Sequence, residues 1–164
     1  MDGDKSKGLW GGLSSWEDTD GTRYILAPVW GPVSAEMQTA VPDAHVPNGS
    51  IVVFKMQDKD GIATLAPAWV SPDLESPTLP VIAKGVVFAL ANGRFSNSHK
   101  GLSPRKGSHA TLFALDGATG KQIYSTGEQV TAAGNLAGMT IANGRIYFAT
   151  VDGTLQVFGK YLER

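Results

Sequence analysis

Seven side chains make up the candidate binding face of this chain: His45, Arg94, His99, Lys100, Arg105, Lys106 and His109. All three histidines of the chain fall in or beside two turn-rich segments, 31–48 and 92–108. The second segment also carries Arg94, Lys100, Arg105 and Lys106 with no acidic residue among them. A grouping of cations on a neutral protein attracts an anionic ligand or an acidic protein surface. Beside this stands the plainer account, that loops are simply wet and polar. The histidines follow no fixed ligand spacing, so no three-histidine metal centre is expected.

Other chemistry is weaker. Asp-Thr-Asp-Gly at 18–21 and Asp-Lys-Asp-Gly at 58–61 place carboxylates at alternate positions, as a calcium loop does. Neither continues into the rest of an EF-hand, and hairpin turns are rich in the same residues, so turns are expected. Trp10, Trp16, Trp30 and Trp69 have the flat faces that stack on a planar ligand, but packing at strand ends accounts for them more simply. No serine elbow or triad motif is present, and a hydrolase has no support. With no cysteine, disulfides, thiolate metal sites and a cysteine nucleophile are excluded. The 14 Lys+Arg against 15 Asp+Glu give neither a nucleic-acid surface nor a polybasic membrane patch. The polar start, Met1 to Gly8, is followed by no apolar h-region, and no stretch of eighteen apolar residues occurs, so neither a signal peptide nor a membrane span is expected.

The elements that must carry these residues are strands. Twenty Gly and nine Pro leave little room for long helices. Val33 to Val41 lacks both but has no apolar stripe, and is expected to be loop. Asp20-Gly21, Lys84-Gly85 and Asn143-Gly144 each separate two strand-like runs, the glycines being 64 and then 59 residues apart. Such dipeptides suit tight hairpins because both residue types tolerate positive φ. A second unit, Gly49 to Val70 and again Gly107 to Thr126, follows the first two; after the third only Thr154 to Lys160 remains. The count is four, four and three strands. Runs such as Ile51 to Phe54 and Val86 to Leu90 are continuously apolar, which in an antiparallel meander means sheets covered on both faces. The expected fold is therefore all-β: about three propeller blades of antiparallel strands, spanning 9–72, 73–130 and an incomplete, three-stranded 131–164, after a polar tail at 1–8. A two-sheet sandwich of eleven short strands is the rival. The segments 31–48 and 92–108 both join second to third strands, which puts them on one face at the mouth of the central channel.

The segment Ala110 to Tyr124, with Leu115-Asp116-Gly117-Ala118-Thr119-Gly120-Lys121 at its centre, resembles the repeat of pyrroloquinoline-quinone-type propellers. That family includes quinoprotein dehydrogenases, an outer-membrane assembly lipoprotein that works as a scaffold, and propellers without a known ligand. The resemblance implies a propeller fold and an extracytoplasmic setting; fold follows from it more firmly than activity. The adjacent cysteines of the alcohol dehydrogenases are lacking, and no Asp base or calcium ligand set is placed by motif. The expectation is a non-enzymatic binding or assembly scaffold with no cofactor in this chain. The alternative is the C-terminal part of a quinone-dependent dehydrogenase, and only that would bring in pyrroloquinoline quinone and calcium. Three blades do not close a ring, so both end sheets are expected to be bare, awaiting blades from another chain or copies of itself. Two copies would give six blades.

Overall fold

The computed structural model describes residues 7–42, 44–98 and 101–159, and in it the repeat becomes three antiparallel sheets laid one on the next. The first contains β1 (Gly8–Leu9), β2 (Ser14–Glu17), β3 (Arg23–Trp30), β4 (Gly49–Lys59) and β5 (Ile62–Val70). Because β1 and β2 follow one another along the same edge of β3, this sheet is four strands wide. The second runs β6 (Val81–Ala83), β7 (Val86–Ala91), β10 (Thr111–Asp116), β11 (Gln122–Ser125), with β8 (Phe95–Ser98) and β9 (Gly101–Pro104) forming a separate hairpin between β7 and β10. The third is β12 (Gly134–Ala142), β13 (Arg145–Thr150) and β14 (Leu155–Gly159). Four, four and three strands, each sheet a meander, are what the repeat predicts. Three successive layers also replace the rival two-sheet sandwich, and the arrangement is that of a partial, propeller-like stack. Both β2 and β12 approach β6, so the first strands of the sheets gather on one side.

The turns work as their residue types dictate. Lys84-Gly85 (φ 50° and 75°) and Asn143-Gly144 (φ 50° and 69°) have both central residues at positive φ, as a two-residue hairpin connection requires. Asp20-Gly21 is looser: only Gly21 is left-handed (φ 83°), and Asp18 N–H donates to Thr22 O at 2.9 Å to close a longer loop.

Two apolar layers hold the sheets together. Tyr24, Leu26, Ile51, Val53 and Trp69 of the first sheet meet Val87, Ala89, Ala91 and Leu115 of the second. The other face of the second sheet, through Leu90 and Leu112, meets Ile146 and Phe148 of the third. Between the first two sheets the contact is pinned by Trp69, which is only 4% exposed. Its indole Nε1 donates to Gly117 O at 2.9 Å, and its ring lies where a Cβ on Gly120 would stand, 2.4 Å from Trp69 Cε3. Asp116 shapes this turn: its Oδ1 accepts from Thr119 N–H at 2.9 Å and from Thr119 Oγ1 at 2.7 Å. Those bonds, the hydroxyl's first, hold the Asp116 carboxyl below its ordinary range.

Three expectations are corrected. Val33 to Val41 is not loop throughout, since α1 (Ala35–Ala40) forms there. Ser34 caps it, its Oγ accepting from Met37 N–H at 3.3 Å. The helix shows no stripe because it is one and a half turns long and buries only Met37; Val33, Val41, Ala44 and Val46 around it supply the rest of the anchor. Next, 92–108 is not an open loop but carries the β8–β9 hairpin. Finally, the outer face of the first sheet is not bare: the α1 segment packs on Val29, Val52, Phe54 and Val70. Among the described residues no helix is long and apolar enough to cross a membrane.

Two outcomes follow for stability. Gly120→Ala should cost about 2–4 kcal/mol, combining left-handed strain with forced displacement of the Trp69 ring, whereas Gly61→Ala, with the same sign of φ (79°) but open space around it, should cost about 1 kcal/mol. Urea unfolding of the two variants measures the difference. For Asp116, a carboxyl whose pKa is lower folded than unfolded stabilises the fold above the unfolded value of about 4 and stops doing so as pH falls through the folded value. The urea midpoint should therefore drop below about pH 4, and Asp116→Asn should remove Asp116's share of that drop.

Candidate functional site

The feet of both insertions and the linker between the first two sheets converge on a cleft of about 400 Å³. From the first insertion come Gly31, Pro47 and Asn48, held by Gly31 N–H donating to Asn48 O at 2.9 Å. Asn48 is fixed in turn by Asp73, whose carboxylate accepts its backbone N–H at 2.9 Å and its side-chain amide at 2.6 Å. The linker contributes Glu75 and Ser76, the second insertion Arg94, Phe95 and Arg105, and the segment before β1 contributes Lys7.

The second insertion is positioned by its own hairpin. Phe95 pairs with Pro104, so Arg94 and Arg105 flank the foot of the β8–β9 hairpin and are joined by Arg105 N–H donating to Arg94 O at 2.8 Å. Gly93 makes the approach possible: at φ 92°, with a would-be Cβ 2.7 Å from His109 O, the position admits no side chain. Arg94 Nε donates to Glu75 Oε1 at 2.6 Å, and this carboxylate keeps the guanidinium's pKa raised. The lining thus holds three cations, Lys7, Arg94 and Arg105, against one carboxylate.

Trp30 is the wall of the cleft. It stacks on Trp10 with centroids 4.2 Å apart, meets Phe95 at 6.2 Å, and donates from Nε1 to Pro77 O at 2.8 Å. It also lines a second, apolar cleft of about 310 Å³ with Trp10, Leu79 and Leu136, the last held at φ 65° in a bulge of β12. At 4% exposure Trp30 lines both spaces and packs as a core residue, as the sequence leads one to expect.

Of the seven residues singled out by charge, the structure brings Arg94 and Arg105 together. Lys106 is exposed on the adjoining turn, and His109 is half-buried behind Gly93. His45 is elsewhere: it is exposed between Ala44 and Val46, which anchor the α1 segment to the first sheet. His99 and Lys100 lie outside the described residues. Glu75 and Lys7 carry no motif, and only the tertiary fold brings them here; Phe95, beside Arg94 in an otherwise polar segment, was the one signal available. The two Asp-Xaa-Asp-Gly stretches use carboxylates as turn caps, Asp20 Oδ1 accepting from Thr22 N–H and Asp58 Oδ1 from Gly61 N–H, each at 2.8 Å. Among the described residues no three His, Asp or Glu side chains are grouped so as to hold a metal ion.

Compared with known protein families, with curated proteins and with solved structures, the chain matches none.

Proposed function

We propose that this chain is a non-enzymatic binding and assembly scaffold, a propeller-like portion that engages an anionic group at the cleft between its two insertions. The observation that carries this is the pair of guanidinium groups in the lining: Arg94 and Arg105 stand together at the foot of the β8–β9 hairpin, with Glu75 bonded to Arg94 and Lys7 also on the wall. Beside the Trp30 and Phe95 walls, the exposed guanidinium groups of Arg94 and Arg105 favour a carboxylate or phosphate group, which such groups bind in a two-pronged fashion. Among the described residues no histidine lines the cleft beside Ser76, and what the lining offers is charge and shape. No cofactor is needed for this role. The resemblance of Leu115 to Lys121 to a propeller repeat supports the scaffold without assigning a ligand, and an acidic surface on a partner protein supplies the same chemistry as a free anion.

Titration with a short poly-aspartate peptide, followed by nitrogen-15 NMR of the Trp30 indole N–H and the Arg94 and Arg105 amides, tests the assignment. These signals should move together and the response should weaken as salt is raised. Arg105→Glu should reduce affinity about tenfold or more, and Glu75→Gln should raise it by removing the competing carboxylate. Shifts spread evenly over all lysines and arginines, or no loss in Arg105→Glu, would sink the proposal.

A further inference from the structure

The sheets of this molecule stack in one sense. Each has a forward face, toward the next sheet in sequence, and a backward face, toward the one before. In the second sheet the forward face is carried by Phe88 and Leu90 of β7 opposite Ala114 and Leu112 of β10. The Lys84-Gly85 and Asn143-Gly144 turns set these strands in register with Tyr147 and Ala149 of β13, opposite Val157 and Leu155 of β14. The same four positions are therefore apolar in the third sheet, yet no other sheet among the described residues packs on them: Leu155 is 63% and Val157 48% exposed, and Val151 beside them is 45% exposed. Residues of the opposite, backward face, Ile146 and Phe148, are buried. An apolar face continuous with the internal sheet-on-sheet packing calls for an occupant.

A head-to-tail array of copies is blocked. It would need the backward face of the first sheet, and Val33, Met37, Val41, Ala44 and Val46 of the α1 segment occupy that face. The backward faces of the other two sheets are taken internally. What copies can still bring to one another is the open forward face, and like faces meet about a two-fold axis, the commonest closed symmetry. The face is suited to this. An axis crossing the strands at the level of Phe148 lays Tyr147 of one copy over Ala149 of the other and Val157 beside Leu155. It also brings Arg145, at one end of the face, to the exposed Asp152 turn at the other end, so unlike charges meet at both rims.

The geometry points to a second copy of this chain as the occupant: a two-fold dimer formed by the forward faces of the two third sheets, independent of the anion cleft. Light scattering of the full chain at micromolar concentration should give twice the 17.3 kDa chain mass. Leu155→Lys and Val157→Lys, substitutions at sites exposed in the single chain, should keep the β circular dichroism and halve that mass. Ile62→Lys, at the 66%-exposed start of β5, should leave the dimer intact. Since the chain has no cysteine, Thr140→Cys on the same face gives a second measure that leaves the apolar positions unchanged. A short bismaleimide should join two Thr140→Cys copies and fail to join two Ile62→Cys copies. A wild-type monomer, an open-ended series of oligomers, a dimer that Ile62→Lys breaks as readily as Val157→Lys, or equal cross-linking at both cysteines would each overturn the inference.

Discussion

The insertion of the Trp69 ring against the Gly117–Gly120 turn is the constraint on which the sheet stack depends. Two sheets with apolar faces attract one another over a range of offsets and angles, because burial is non-directional. A single indole fitted against two glycines, with its N–H bonded to Gly117 O across 48 residues of sequence, selects one of them. Trp16 makes a second contact from β2, at the other edge of the first sheet: its ring stacks on Tyr24 at 4.8 Å and lies 2.9 Å from where a Gly117 Cβ would stand. The turn residues of one sheet are thus moulded by the tryptophans of the other. The Leu-Asp-Gly-Ala-Thr-Gly stretch, the most distinctive run in the sequence, serves at both ends: Asp116 and Thr119 fold the turn, and its glycines receive the rings.

The elements legible in sequence are those set by local rules. Paired residues at positive φ announced the hairpins of β6–β7 and β12–β13, and continuous apolar runs announced strands covered on both faces, true of β4 and β7. In β13 the run Arg145 to Thr150 buries alternate residues only, because among the described residues no sheet packs on its forward side. What stayed hidden was set by tertiary contact. Helix α1 buries a single residue, so no periodicity betrays it, and its anchors lie outside its own bounds. In the cleft, Arg94 and Arg105 were visible as charge, but Glu75 and Lys7 lie 19 and 87 residues from Arg94 and have no feature of type or spacing to single them out. Histidine content misled for the same reason: His45 shares an insertion with Asn48 yet faces another way, since Ala44 and Val46 on either side of it are drawn into the first sheet's outer face.

Each insertion shapes the molecule at two levels. Their feet, tied by Gly31 to Asn48 and by Arg94 to Arg105, build the cleft, while their bodies do something different in each case. The body of the first spreads over a sheet face that would otherwise be as apolar and open as the third sheet's, and so removes one of two sticky ends. The body of the second forms the β8–β9 hairpin, which sets Phe95 beside Trp30. Strand order alone would have left the stack symmetric in its liabilities, with a bare sheet at either end. Insertion of one short apolar segment between β3 and β4 makes it directional. Among the described residues the uncovered apolar sheet face then belongs to the third sheet alone, and the charged cleft is built from the first sheet, the second and their linker, so the proposed anion site lies apart from the surface through which the stack would be completed.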